Sequence, residues 1–219
     1  VTANVGRGQL RFTADINEAV RDGVDILFIA VGTPTAANGD WANLDYVYAA
    51  VDDVGRALAG HAGSADPFTV IVTKSTVPAG TSWKVADIVG RYLPRKNFSV
   101  ASNPEFLREG SSIHDFANPP FTLIGADDED TARALRDLYS HIDAPVIGLE
   151  IKEAEMVKYA CNSFHALKIT FANEIGNICK AMGVDSHAVM DAFCKDTKLN
   201  LSPYYLKPGF AFGGSCLPK

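Results

Sequence analysis

Short apolar runs separated by helical patterns constrain this chain more than any other feature. Ile26–Val31, Phe68–Val72, Phe98–Ala101, Phe121–Ile124 and Pro145–Ile147 each have strand length. Between them, Asn43–Leu58 repeats Leu44, Val47, Val51, Val54 and Leu58 on one helical face, with Asn43 as a cap. Thr81–Leu93, closed by Pro94, and Glu129–Ile142 also read as helices. Continuous apolar strands alternating with helices predict an α/β fold, a parallel sheet covered on both faces. Ligands of such sheets sit outside the carboxyl ends of the strands. The segments after Val31, Val72 and Ala101 are therefore the places to look for chemistry.

A dinucleotide-binding sheet opens with a strand and G-x-G-x-x-G. The chain has no such motif; Gly6-Arg7-Gly8 lacks the third glycine and a preceding apolar strand. Either the sheet binds no dinucleotide, or its first βαβ unit lies upstream of Val1. A first residue other than Met, and a terminus at Pro218-Lys219 where the chemistry looks unfinished, lead us to read the chain as a fragment.

Composition excludes several classes. Of 219 residues, 47% are hydrophobic and 21% charged, enough to build a core and too apolar for a disordered tail. No apolar run approaches the roughly 18 residues of a membrane span. The opening Val1-Thr2-Ala3-Asn4 has no basic-then-apolar signal pattern. A net charge of −6 disfavours nucleic-acid and anionic-membrane partners. Cys161, Cys179, Cys194 and Cys216 form no CxxC, so reduced thiols in a cytoplasmic protein are expected, and no metal site.

From Glu150 to Met182 an apolar stripe runs through Val157, Ala160, Phe164, Leu167, Phe171, Ile175, Ile178 and Met182. The predicted helix is about 50 Å long, a length that joins domains or forms a subunit interface. The division expected is a sheet domain over 1–148 and a helical domain over 149–219. Ser186–Cys194 reads as a second helix and 196–219 as loop. Opposite the stripe, Glu155, Lys158, Asn162, His165 and Asn173 fall within a sector of about 80°. Lys158 and Asn162, four residues apart, could grip one small group; the plainer alternative is a solvated face, though such faces carry more Glu and Lys than Asn and His.

Cys216 lies in Gly209-Phe210-Ala211-Phe212-Gly213-Gly214-Ser215-Cys216-Leu217-Pro218-Lys219. Glycines let a ligand approach the backbone, and a thiol beside a lysine can become a nucleophile; a small buried hydrophobe is the alternative. Ser102-Asn103-Pro104-Glu105-Phe106-Leu107-Arg108-Glu109 offers two carboxylates after a strand end, one as base and one as anchor. Its plainer reading is a turn entering a helix, with Asn103 as cap and Pro104 at the first helical position. Gly32-Thr33-Pro34 and Lys74-Ser75-Thr76 offer hydroxyls and N–H groups to a cofactor, or are ordinary turns.

Together these segments occur in a specific order. Val31-Gly32-Thr33-Pro34, Lys74 to Gly80, Ser102 to Glu109, Lys158-Tyr159-Ala160-Cys161-Asn162 and Gly209 to Lys219 resemble the UDP-glucose/GDP-mannose dehydrogenase family over essentially the whole chain. Ala154–Tyr159, Phe171–Asn177 and Leu199–Tyr205 look most like the branch acting on GDP-mannose. The resemblance implies a Rossmann-like sheet domain, N-terminally incomplete, followed by an all-α central domain with a long helix. It implies NAD-dependent oxidation of the C6 alcohol of a nucleotide-bound hexose to a carboxylate, here GDP-mannose to GDP-mannuronate, in the making of alginate or another uronate polymer. Cys216 would hold the intermediate as thiohemiacetal and thioester, Lys158 and Asn162 would stabilise the C6 oxyanion, and Glu105 would assist hydrolysis. Glu109, His165, Asn173, Phe210 and Gly213 match sugar-nucleotide contacts. Tyr204, Tyr205 and Lys207 match a substrate loop that reaches a partner subunit; lysine at 207 keeps the charge of the usual arginine but loses its bidentate fork. Thr33, Thr76 and Lys219 match NAD contacts. A homodimer or higher homo-oligomer through the 150–182 helix is expected. The rival readings are a UDP-glucose or UDP-N-acetylhexosamine 6-dehydrogenase, a 3-hydroxyacid dehydrogenase, and a non-catalytic dimerisation module.

Overall fold

The computed structural model describes residues 1–37, 39, 41–61, 68–198 and 206. Contacts divide the chain into two compact units, 1–162 and 163–219.

In the first unit, α1 (Thr2–Gly6) and α2 (Ile16–Val20) precede β1 (Ile26–Ile29). There follow α3 (Asp45–Gly60), β2 (Thr69–Thr73), α4 (Thr81–Val89), β3 (Phe98–Ser102), α5 (Ser112–Ala117), β4 (Thr122–Ala126), α6 (Glu129–Leu138) and β5 (Val146–Leu149). The five strands form one sheet in sequence order. Asn43 is not itself the cap of α3, which is Leu44; one residue earlier, its side-chain oxygen accepts a hydrogen bond from the Asp45 N–H at 2.8 Å. The face read from the sequence is the buried one: Val47, Val51, Val54 and Leu58 point inward.

Two layers of core flank the sheet, because alternate residues of a strand face opposite sides. Ile71 joins Val47, Val51, Val85, Val89 and Phe98 under α3 and α4. Its neighbours Val70 and Val72 pack with Ala101, Ile124 and Leu135 of α6 on the other face. β2 is buried along its whole length.

The sheet departs from the all-parallel expectation at one pairing. β1–β2, β2–β3 and β4–β5 are parallel, but β3 and β4 are antiparallel, matched through Ala101–Ala126 and Ser102–Gly125. A parallel neighbour needs a crossover that returns the chain to the other end of the sheet. Helices α3, α4 and α6 make that return for their pairs. Between β3 and β4 the chain forms only the short α5, so β4 starts where β3 ends and runs back. The expected helix entry at Asn103-Pro104 does not form either: 103–108 is irregular, and α5 begins at Ser112.

After β5 the chain enters α7 (Ile151–Met182). Its first residues seat on the sheet, with Ile151, Ala154, Glu155 and Lys158 buried. Gly125 makes the seating close: a Cβ there would stand 2.6 Å from the Ala154 Cβ and 3.0 Å from the Ile151 Cα.

In the second unit, α7 ends at Gly183, whose positive φ of 69° suits glycine. Asp185 then caps α8 (Ser186–Phe193), accepting from the His187 N–H at 2.9 Å. Phe171 and Phe193 meet at a ring-centroid distance of 5.6 Å. Much of the predicted apolar stripe is exposed here, including Leu167 at 62% and Met182 at 71%.

Gly125→Ala tests the close seating of α7. The added methyl meets the Ala154 methyl and the Ile151 backbone of the facing helix, and we expect a loss of about 1–3 kcal/mol, read as a lower urea midpoint.

Candidate functional site

Three strand ends and the first turns of α7 converge in the first unit. β3 ends at Ser102, and the irregular segment after it remains at the carboxyl end of the sheet because β4 turns back there. Asn103 is almost fully buried and ties this corner together. Its N–H donates to the Thr73 carbonyl at 3.0 Å, and its side-chain Nδ2 to the Leu123 carbonyl at 2.7 Å. Its Oδ1 accepts from Lys74 Nζ at 2.9 Å and from the Tyr139 hydroxyl at 2.6 Å. Asn103 is thus a brace between strands, not the helix cap predicted.

Two residues on, Glu105 meets Lys158. The Lys158 ammonium donates to the Glu105 carbonyl and, at 3.2 Å, to its carboxylate Oε1. The same ammonium stands 5.3 Å from the centre of the Phe106 ring, which in turn meets Phe121 edge-on at 5.1 Å. Lys158 is 7% exposed. A charge so buried is tolerated because it is paired and hydrogen-bonded. The solvated-face alternative therefore fails at this end of the polar sector.

Glu155 sits one turn earlier and is 2% exposed. Its carboxylate accepts from the Gly80 N–H, from the Ser82 N–H at 2.8 Å and from the Ser82 hydroxyl at 2.6 Å. These are donors at the start of α4, which a carboxylate satisfies well because the helix dipole is positive there. Gly80 takes a φ of 95°, a left-handed conformation that a side chain would strain.

The β1 and β2 ends bear on the predicted cofactor contacts. Ser75 spends its hydroxyl on the Val31 carbonyl at 2.7 Å, so it ties β2 to β1 and is not free for a ligand. Gly80 and Ser82 are likewise committed to Glu155. Thr33 and Thr76 remain, both partly buried and both just past the carboxyl ends of adjacent parallel strands. Gly32 has open space where a side chain would stand. That placement fits a dinucleotide lying across these strand ends.

Of the other predicted residues, Asn162 is exposed, one turn after Lys158. Glu109 is exposed in a loop closed by Arg108, whose guanidinium forks onto Asp115 at 2.7 and 3.0 Å. That fork holds the Asp115 carboxyl well below the usual range. His165 and Asn173 are exposed in the second unit. Tyr204, Tyr205, Lys207, Phe210, Gly213, Cys216 and Lys219 lie outside the described residues. Among the described residues, no group of three or more His, Cys, Asp or Glu is placed to hold a metal ion. No helix among them is long and apolar enough to cross a membrane.

Sequence reasoning missed Lys74, Tyr139 and the use made of Glu155. A charged residue directly after the buried run of β2 was the available signal for Lys74. For Glu155 it was an acid three residues before a lysine at the start of an otherwise apolar helix.

Lys74 has a measurable signature. Burial pushes its ammonium down to about 8, while the Glu105 charge opposes the shift and Lys158 adds to it. The group binds its proton more weakly folded than unfolded, so it costs stability below pH 8. That cost fades as pH rises from about 8 toward the unfolded value near 10.4. Relative to Lys74→Met, the wild type should gain on the order of 1–3 kcal/mol across this window, measured by denaturant unfolding at each pH.

Comparison with known proteins agrees with this architecture. Residues 1–143 match the NAD binding domain of the UDP-glucose/GDP-mannose dehydrogenase family, and residues 152–219 match its central domain. A GDP-mannose 6-dehydrogenase of Pseudomonas savastanoi pv. phaseolicola is 47% identical over 218 residues, covering 98% of this chain and 49% of that protein. A UDP-glucose 6-dehydrogenase of Bacillus subtilis (strain 168) is 45% identical over 224 residues, covering 100% of this chain and 45% of that protein. The crystal structure of a ternary complex of GDP-mannose dehydrogenase from Pseudomonas aeruginosa superposes with a TM-score of 0.88 at 45% identity, covering 99% of this chain and 49% of that one. The chain spans about half the length of the curated relatives it matches. It belongs to the UDP-glucose/GDP-mannose dehydrogenase family, comprising matches to both its NAD binding and central domains.

Proposed function

We propose that this chain carries the sheet domain and the start of the central domain of an NAD-dependent nucleotide-sugar 6-dehydrogenase, divided at 148/149, that oxidises GDP-mannose to GDP-mannuronate. The observation that carries the reading is the buried Lys158 ammonium against Glu105, at the carboxyl end of the sheet. Thr33 and Thr76 on the adjacent strand ends would hold the cofactor, with Lys219. NAD⁺, when bound, accepts the hydride that leaves C6 in each oxidation.

The chain's own groups account for the rest. Lys158 would donate to the C6 oxygen as its O–H proton passes to water, and Asn162, one helical turn away, would donate an amide N–H to the same oxygen. A preformed, poorly solvated ammonium stabilises that developing charge without reorganising. The Cys216 thiolate would add to the resulting aldehyde, forming a C–S bond as the C=O π bond opens and its oxygen takes a proton from water. Loss of a second hydride and a proton from this thiohemiacetal leaves a thioester. Water then attacks C6, Glu105 takes a proton from it, and the C–S bond breaks to give carboxylate and thiol. A covalent bond retains the reactive carbon between the two oxidations. Glu109, His165, Asn173, Tyr204, Tyr205, Lys207, Phe210 and Gly213 would hold the nucleotide sugar. The exposed apolar residues of α7 favour self-association of the protein through that helix.

GDP-mannose is preferred because the curated relatives at 46–47% identity include several that act on it. A UDP-sugar is the second reading, favoured by the Bacillus relative at 45%. The purified whole enzyme that contains this chain, offered each nucleotide sugar, should form two NADH per GDP-mannose; preference for a UDP-sugar would move the assignment to that branch. Lys158→Met should lower kcat by about 10²–10³ with smaller effect on KM, followed as NADH absorbance. Retention of the full four-electron oxidation by Cys216→Ser would reject the covalent route.

A further inference from the structure

The turn between β2 and α4 is held from two sides. At its start, Lys74 bonds the side chain of Asn103, two residues before Glu105. At its end, Gly80 and Ser82 are bonded by Glu155, three residues before Lys158. Glu105 and Lys158 are themselves in contact. These contacts close a ring: Lys74, Asn103, Glu105, Lys158, Glu155, Ser82, and back through the turn to Lys74. Every member lies in the first unit. Thr76 is inside the turn that the ring encloses.

A closed ring differs from a set of separate braces. Glu155 and Lys158 project from one face of one helix, so a roll or slide of α7 that relaxes one moves the other. Asn103 is anchored by its own N–H and by both ends of its side chain, so a shift of Lys74 reaches Glu105 through two bonded residues. The turn therefore cannot move against the Glu105–Lys158 pair without breaking a buried, charged hydrogen bond, which is costly.

We infer that Glu155 and Lys74 are positioning residues that keep the Thr76 turn in fixed register with the Glu105–Lys158 pair. This rests on the dehydrogenase reading for its purpose: a hydride acceptor held by the turn and a C6 oxygen held by Lys158 must meet at fixed separation. Misplacement of reacting groups by about 1 Å costs on the order of 10²-fold in rate.

The test uses Glu155→Gln and Ser82→Ala. The glutamine keeps the volume but turns one acceptor into a donor facing donors. The alanine removes one hydroxyl and leaves the Ser82 N–H bond, so that chain should fold even if the first does not. Neither changes a group that touches the Lys158 ammonium. With ε-¹³C-labelled lysine, the Lys158 resonance should shift in each variant, more in Glu155→Gln. At a temperature well below both melting points, Glu155→Gln should lower kcat about 10- to 100-fold while KM for the nucleotide sugar changes less than threefold. Ser82→Ala should fall between it and the wild type. Lys74→Met should shift the same resonance from the opposite side of the ring. A lower Tm with the Lys158 resonance unmoved, or a moved resonance with unchanged kcat, would overturn the inference. If the whole enzyme that contains this chain turns over no nucleotide sugar, the dehydrogenase reading fails by itself, and the Lys158 resonance alone decides whether the turn and the pair are linked.

Discussion

Two ionic groups buried at the foot of α7 organise the sheet domain. Glu155 and Lys158 are 2% and 7% exposed, and removing either charge from water is expensive. The fold offsets that cost by giving each a dedicated set of partners from a different element. Glu155 takes the unpaired donors at the start of α4, which would otherwise be unsatisfied in a dry corner. Lys158 takes the carbonyl and carboxylate of Glu105. Because these partners are specific in direction as well as charge, they define where the helix enters the sheet more narrowly than apolar contact would. Ile151 and Ala154, closing against Gly125, then supply the packing around them.

This arrangement depends on the reversal at β4. In a wholly parallel sheet the chain after β3 would leave for the opposite end of the sheet. Here the antiparallel pairing keeps 103–107 beside the carboxyl ends of β2 and β3. Glu105 stays within reach of α7 for that reason, and Asn103 can bond strands on both sides. A topological irregularity in the sheet thus produces a place where, among the described residues, charged groups gather in its interior. Ligand sites of open α/β sheets form outside the carboxyl ends of the strands, where this corner lies.

The long helix has different work along its length. Its first turns bury charge and place Lys158. Farther along, in the second unit, several large apolar side chains are exposed, Phe171 among them although its ring meets Phe193 of α8. A single continuous helix links these two roles in the chain.

The sequence alone determined the strands and the longer helices, but not α1, α2 or α5. Short continuous apolar runs located the strands, and a period of 3.6 located α3 and α7, to within a few residues, because burial leaves a local imprint. Family motifs likewise pointed to Glu105, Lys158 and Asn162. Strand direction left no imprint: four or five apolar residues read the same in a parallel or an antiparallel pair, and only the missing crossover after β3 reversed β4. The partners of charged side chains were equally invisible, since Glu155 and Ser82, or Lys74 and Asn103, lie far apart in the chain. Glu155 looked like one more polar residue on a helix face, Ser75 like a free hydroxyl and Asn103 like a cap. Tertiary structure decided otherwise, because desolvation makes a buried polar group take whatever donor or acceptor the fold brings to it, and that choice is made across space and not along the chain.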